Sequence, residues 1–124
     1  MTDLITVDGI QYYFDPGQIA AISDRDPSTG IATTCVFGLS PSGYLRVAES
    51  VQELMSRVKL ASKFGKLTRA DGASIWVNAS LVSSIRSRAA SDQKNVNSVV
   101  FSPSGPFFLK DIPANVSKAL RICN

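Results

Sequence analysis

The sequence predicts an α+β protein built as two β-β-β-β-α repeats with pseudo-twofold symmetry, mainly antiparallel sheets and one short helix per repeat. Three observations carry that expectation. The chain has 124 residues, 44% of them hydrophobic and 19% charged, which is the length of one domain with enough apolar side chain for a packed core. Short motifs recur in the same order in its two halves. Each half also closes with a helix-like segment that follows its last apolar strand.

The recurrence begins with Asp8-Gly9 before Tyr12-Tyr13-Phe14-Asp15, answered by Asp71-Gly72 before Ile75-Trp76-Val77-Asn78. Gln18-Ile19-Ala20-Ala21-Ile22 is answered at the same offset by Leu81-Val82-Ser83-Ser84-Ile85, and Ser40-Pro41-Ser42-Gly43 returns letter for letter as Ser102-Pro103-Ser104-Gly105. The last motif is one residue out of step, so one loop is shorter in the second copy. Duplication accounts for the whole ordered set. The two repeats are expected over residues 1–64 and 65–124, packed as one compact unit. A unit of about 60 residues is marginal alone, so two would share a core and cover each other's sheet edges.

Each element has its own local signal. Asp-Gly supplies the positive φ of a tight turn, predicting hairpins over 4–14 and 66–77. Kinks at Asp15-Pro16-Gly17 and Asn78-Ala79-Ser80 lead into apolar strands expected to end near Ile22 and Ile85. The polar stretches Ser23–Gly30 and Arg86–Asn97 read as turn-rich loops. Strands follow over Ile31–Leu39 and Ser98–Ser102, and each SPSG turn passes the chain to a last strand, Tyr44–Val47 or Phe107–Leu109. Ser50-Val51-Gln52-Glu53 fits a capping box, in which a hydroxyl and a carboxylate serve the orphan N–H groups of a helix start. Val51, Leu54, Met55, Val58 and Ser62 fall on one face of that helix, with Gly65 placed to stop it. Pro113 opens the second helix, which buries Val116, Ala119 and Leu120.

Charge is uneven. The net charge of +3 divides into −4 over residues 1–58 and +7 over residues 59–124. Such asymmetry points to a polyanion site on the second half or to head-to-tail association of copies. Cys35 lies in an apolar run and reads as a buried thiol. Cys123 lies next to the C-terminal residue, and two cysteines are too few for a disulfide framework. No apolar run approaches the roughly 18–20 residues that cross a bilayer, and residues 1–5 lack the features of a signal peptide. A soluble cytoplasmic protein with no membrane partner is expected.

The Asp-Gly turn, an apolar strand ending in Asn, Ile-x-x-Ile, a glycine turn and Val47-Ala48-Glu49-Ser50-Val51-Gln52-Glu53-Leu54 together resemble the small flagellar FlbD-type proteins. Those are about one repeat long, so the resemblance covers nearly the whole chain twice. The first copy keeps the Glu-Ser helix start better, and the second keeps the Val77-Asn78 strand end better. The layout is also similar to the LytTR-type DNA-binding domain, whose strand after the helix carries an Arg-x-His-Arg-Ser-Tyr-x-Val-Asn motif. Here Ser74, Val77 and Asn78 match, whereas Gly72 and Ala73 stand where that family has His and Arg. The second resemblance therefore implies architecture rather than base reading.

There is no histidine, which removes Ser/His/Asp and Cys/His nucleophile arrangements and the commonest metal ligand. Asp24-Arg25-Asp26-Pro27-Ser28-Thr29-Gly30 lacks the alternating acids and terminal Glu of a calcium loop and reads as an Asx-type turn. Neither GxGxxG nor GxxxxGK[ST] occurs. The chain is read as no enzyme, with no cofactor, metal or small-molecule substrate.

The candidate nucleic-acid surface is Lys59, Lys63, Phe64, Lys66 and Arg69 across the junction between repeats, with Arg86, Arg88 and Lys94 on a loop of the second. Bases so spaced can track a phosphate backbone while an exposed Phe64 stacks a base. A lysine-rich helix end and a core phenylalanine would produce the same pattern. Trp76 sits mid-strand and reads as core or as a stacking platform. Tyr12, Tyr13 and Phe14 are consecutive, so one strand face must turn an aromatic outward or towards a partner. The leading expectation is a small binding module engaging nucleic acid through the second repeat and the junction. The alternative is an assembly protein whose acidic first repeat meets the basic second repeat of the next copy, giving a homo-oligomer. A third is a regulator that binds another protein through the aromatic strand.

Overall fold

The computed structural model describes residues 2–40, 43–58 and 63–122. In the first half, Gly9 takes the positive φ of +89° that the Asp-Gly turn requires. The turn folds β1 (Thr2–Ile5) onto β2 (Gln11–Phe14), with Thr2 opposite Phe14 and Ile5 opposite Gln11. Asp15 then caps a single 3-10 turn, its carboxylate accepting from the Gly17 N–H. β3 (Ala21–Arg25) and β4 (Ala32–Phe37) pair antiparallel, and β5 (Tyr44–Val47) adds to β4. The capping box closes as its spacing predicts. Ser50 Oγ accepts from the Glu53 N–H at 3.1 Å and Glu53 accepts from the Ser50 N–H at 3.4 Å, opening α1 (Val51–Val58). Val51, Leu54, Met55 and Val58 are its buried face.

The second half runs β6 (Phe64–Thr68), β7 (Ser74–Asn78), a 3-10 turn capped by Asn78, β8 (Ser84–Ser87), β9 (Ser98–Ser102), β10 (Gly105–Leu109) and α2 (Pro113–Ile122). β6 pairs β7, β8 pairs β9 and β9 pairs β10, all antiparallel. Val116 and Leu120 of α2 are buried.

The fold is thus a small α+β protein of mostly antiparallel sheets with two short helices. Its centre is a five-stranded sheet in the order β5-β4-β3-β7-β6, in which β3 of the first half pairs with β7 of the second. Side chains alternate across this sheet, so each face owns a core. Ile22, Val36, Leu45, Val47 and Phe64 point to one face, where Leu4 and Phe14 of the β1–β2 hairpin and Leu54 and Met55 of α1 cover them. Ala21, Leu67, Ile75 and Val77 point to the other, covered by Val100, Phe107 and Leu109 of the β8–β9–β10 sheet and by Val116 and Leu120 of α2. No described helix is long and apolar enough to cross a membrane.

Several expectations change. Each half holds five strands before its helix, not four, because each hairpin contributes two. The strands expected to end near Ile22 and Ile85 start at Ala21 and Ser84 instead, since the 3-10 turns occupy the residues just before them. Gly65 does not stop α1. It lies in β6 beneath α2, where an added Cβ would sit 3.0 Å from the Ala119 carbonyl oxygen and 3.1 Å from a Leu120 methyl. Ser62, Cys123 and the Pro41-Ser42 part of the first SPSG turn lie outside the described residues.

Candidate interaction surface

The predicted basic site is largely dispersed. Phe64 is buried in the first core, so it has no face for a nucleobase. Arg69 is a strut: its guanidinium donates to Ser23 Oγ and the Arg25 carbonyl, both at 3.0 Å, and pairs with Asp71 at 2.5 Å. Arg86 is held bidentately by Asp92 at 3.0 and 3.1 Å. That pairing holds the Asp92 carboxyl below the usual carboxylate range. Arg88 donates to the carbonyls of Asp92, Gln93, Lys94 and Val96 and so closes its own loop. Arginine with five N–H groups supplies several loop carbonyls at once. Lys59 lies outside the described residues. Lys63, Lys66 and Lys94 are exposed, and the Lys66 ammonium sits 5.4 Å from the centre of the Trp76 ring. Arg69 and Lys94 do line one open groove of about 610 Å³, together with Phe37, Pro106, Phe107 and Phe108.

Asp26 is the one carboxylate the fold encloses most completely among the described acids, at 1% exposure. It accepts from Tyr44 Oη at 2.6 Å, from the Ser28 N–H and Oγ at 2.8 Å, and from Arg46 Nε. The Tyr44 hydrogen bond, with those from Ser28 and Arg46, holds its carboxyl far below the ordinary value against the opposing effect of burial. The Ser28 bond makes Asp26-Pro27-Ser28 an Asx-type turn, as the sequence predicts, and the cluster pins the 26–31 loop to β5. Cys35 is fully buried, and burial pushes its thiol up to about 11. No group of three or more Cys, Asp or Glu among the described residues is placed to hold a metal ion.

A different surface stands out. Of the seven large hydrophobic side chains exposed among the described residues, Ile5, Val7, Ile10 and Tyr13 all lie on the first hairpin. Leu4 and Phe14 bury its inner face, while Ile5 and Tyr13 alternate onto the outer one, Tyr13 at 64% exposure. The aromatic that turns outward is Tyr13. The hairpin is also short of strand partners: β1 and β2 form a two-stranded sheet of their own. Among the described residues its tip alone makes backbone contact with another strand, through Thr6 opposite Val47 and the Val7 N–H on the Arg46 carbonyl at 2.9 Å.

The backbone directions at two sheet edges follow from two backbone hydrogen bonds and strand alternation. Thr6 N–H donates to the Ile10 carbonyl, so alternate residues Leu4 and Tyr12 also face each other, and the Tyr13 N–H and C=O turn away from β1. Ser83 N–H donates to the Phe101 carbonyl. Phe101 and Val99 therefore face β8, their partners are Ser84 and Arg86, and the Ile85 N–H and C=O turn to the opposite edge. Among the described residues β2 pairs with β1 alone and β8 with β9 alone. Helix α2 packs beside β8 and Ile85 packs against the second core, so the β8 edge lacks a strand partner only. Sequence reasoning found the outward aromatic but not this edge, which carries no composition signal.

No family model matches the chain, and neither a curated protein nor a solved structure matches it.

Proposed function

We propose that this protein is a non-enzymatic, cytoplasmic assembly module, a tandem duplication of one β-rich unit that associates with further copies of itself. The observation that carries this reading is the first hairpin, a two-stranded sheet with Ile5, Val7, Ile10 and Tyr13 exposed together. The inner face of the hairpin is packed on the first core, but these four side chains stay in water, a cost that a partner would remove. The charge supports the same reading, since residues 1–18 hold Asp3, Asp8 and Asp15 with no base, while residues 59–124 carry +7.

Duplication is supported by pairing geometry. Thr2 opposite Phe14 is matched 63 residues on by Gly65 opposite Val77, the same register of hairpin. Thr6 bridges Val47 as Arg69 bridges Leu109. Ala20 N–H donates to the Phe37 carbonyl as Ser83 N–H donates to that of Phe101. Asp15 and Asn78 cap matching 3-10 turns.

A second reading, binding of a nucleic acid, rests on the groove that gathers Arg69, Lys94 and the half-exposed Phe108. Light scattering over a concentration series, with fluorescence anisotropy of short DNA and RNA at low and moderate salt on the same samples, separates the two. The assembly reading expects a mass that rises above 13.3 kDa and falls back in an Ile5→Ser, Tyr13→Ser variant. A 13.3 kDa species at every concentration, with saturable binding that weakens steeply with salt, would replace it by the second.

A further inference from the structure

We infer that copies of this chain join by strand addition, β2 of one copy pairing antiparallel with the open edge of β8 in the next, Tyr13 opposite Ile85. The inference rests on the assembly reading above and names its contact.

The template is inside the chain. β7, the second strand of the second hairpin, pairs with β3 of the first half, with Val77 opposite Ala21, Trp76 opposite Ile22 and Ile75 opposite Ser23. Asn78 N–H extends the ladder to the Ala20 carbonyl at 2.9 Å. Shifting each position to its counterpart in the other half turns Trp76 into Tyr13 and Ile22 into Ile85. Phe14 then faces Ser84, Tyr12 faces Arg86, and the Asp15 N–H faces the Ser83 carbonyl. The same register carried to the other half defines a reciprocal joint, and the chain makes only the first of the two. β2 and β8 are each left with a single partner.

The chemistry of the two edges fits. Tyr13 and Ile85 are residues whose N–H and C=O point out of their sheets, as those of Trp76 and Ile22 point at each other within the chain. Joining them would place a 64% exposed tyrosine beside a half-buried isoleucine, an aromatic–β-branched pair of the kind that stabilises cross-strand neighbours. Tyr12 would face the Arg86 side chain. An open strand edge is a ready template for another strand. The two edges are different surfaces, so the contact is heterologous, with one donor and one acceptor per copy. One bond of the internal joint has no equivalent: Asn78 Nδ2 donates to the Ile19 carbonyl at 2.9 Å, whereas Asp15 carries a carboxylate and no such donor. The contact between copies is accordingly the weaker of the two and depends on concentration.

The test uses two edge-blocked full-length variants. Tyr13→Pro and Ile85→Pro each delete an outward N–H and leave the bonds to β1 or β9 in place, the position at which an edge strand tolerates proline. By light scattering, each variant alone is expected to stay at 13.3 kDa where the wild type is larger. Mixed in equal amounts they should give a single species of twice that mass, because one intact β2 edge meets one intact β8 edge. Thermal melts by circular dichroism confirm folding. If Ile85→Pro does not melt cooperatively, Ser87→Pro, at an exposed position whose N–H faces the same edge, takes its place. Variants that still associate alone would overturn this contact and leave assembly through another surface. Monomeric variants that do not combine would overturn it too. A wild type that is monomeric throughout would overturn both the contact and the assembly reading.

Discussion

Asn78 donates its side-chain N–H to the carbonyl of Ile19 at 2.9 Å, fastening together positions 59 residues apart in a place where the asparagine is almost wholly buried. Its backbone N–H reaches the Ala20 carbonyl at 2.9 Å, and its Oδ1 accepts from the Ser80 N–H at 3.0 Å. One residue thus caps a turn in the second half and clamps the β3–β7 junction that joins the two halves.

Asn78→Ala should leave the Ile19 carbonyl without its donor and cost about 1–3 kcal/mol. Asn78→Asp should cost more, because it sets a carboxylate against that carbonyl. Urea denaturation checks both, and equal stability of the two variants would contradict this account of the clamp.

Gly65→Ala places a methyl 3.0 Å from the Ala119 carbonyl oxygen and 3.1 Å from Leu120. Helix α2 must move outward by a few tenths of an ångström, which should cost about 1–3 kcal/mol as overpacking. Amide exchange in α2 should speed up relative to α1, as the displacement is local to the second core.

Acid should weaken the Asp26 cluster. The folded-state carboxyl lies below its unfolded value near 4, so the native state binds fewer protons than the unfolded chain. The stabilisation is therefore complete above about pH 4–5 and is lost progressively as pH falls below that. Asp26→Asn should flatten this part of the profile and lower the neutral-pH Tm by several degrees. Thermal melts from pH 7 to pH 2.5 on both proteins read the difference.

Burial that raises the Cys35 thiol to about 11 leaves almost no thiolate at pH 8 and no path for a reagent. In a Cys123→Ser background, Ellman's reagent should react with Cys35 only as fast as the chain unfolds. Adding denaturant should accelerate labelling by orders of magnitude, and prompt labelling of the native protein would show a more open first half.

Local features were readable directly. The Asp-Gly turns, the capping box at Ser50 and Glu53, the Asx turn at Asp26 and the buried stripe of α1 depend on φ preference and on bonds between residues two to four apart. Such signals are complete within a short stretch of chain. Even the outward turn of an aromatic in β2 follows from strand alternation, since three successive aromatics cannot all face one side. Packing of Leu4 and Phe14 on the core made it Tyr13.

Which strand sits beside which was decided only by tertiary structure. Nothing near Ala21 or Val77 in sequence marks them as partners, because sheet register is chosen by which apolar faces can be buried together over the whole chain. The same holds for the basic and aromatic residues. Phe64 became core, Arg69 and Arg88 became donors to carbonyls, and Arg86 became half of an ion pair, while Lys63, Lys66 and Lys94 stayed at the surface. Residue type sets what a side chain is able to do. Its partners, which arrive from tens of residues away, decide whether that capacity is spent inside the fold or left for another molecule.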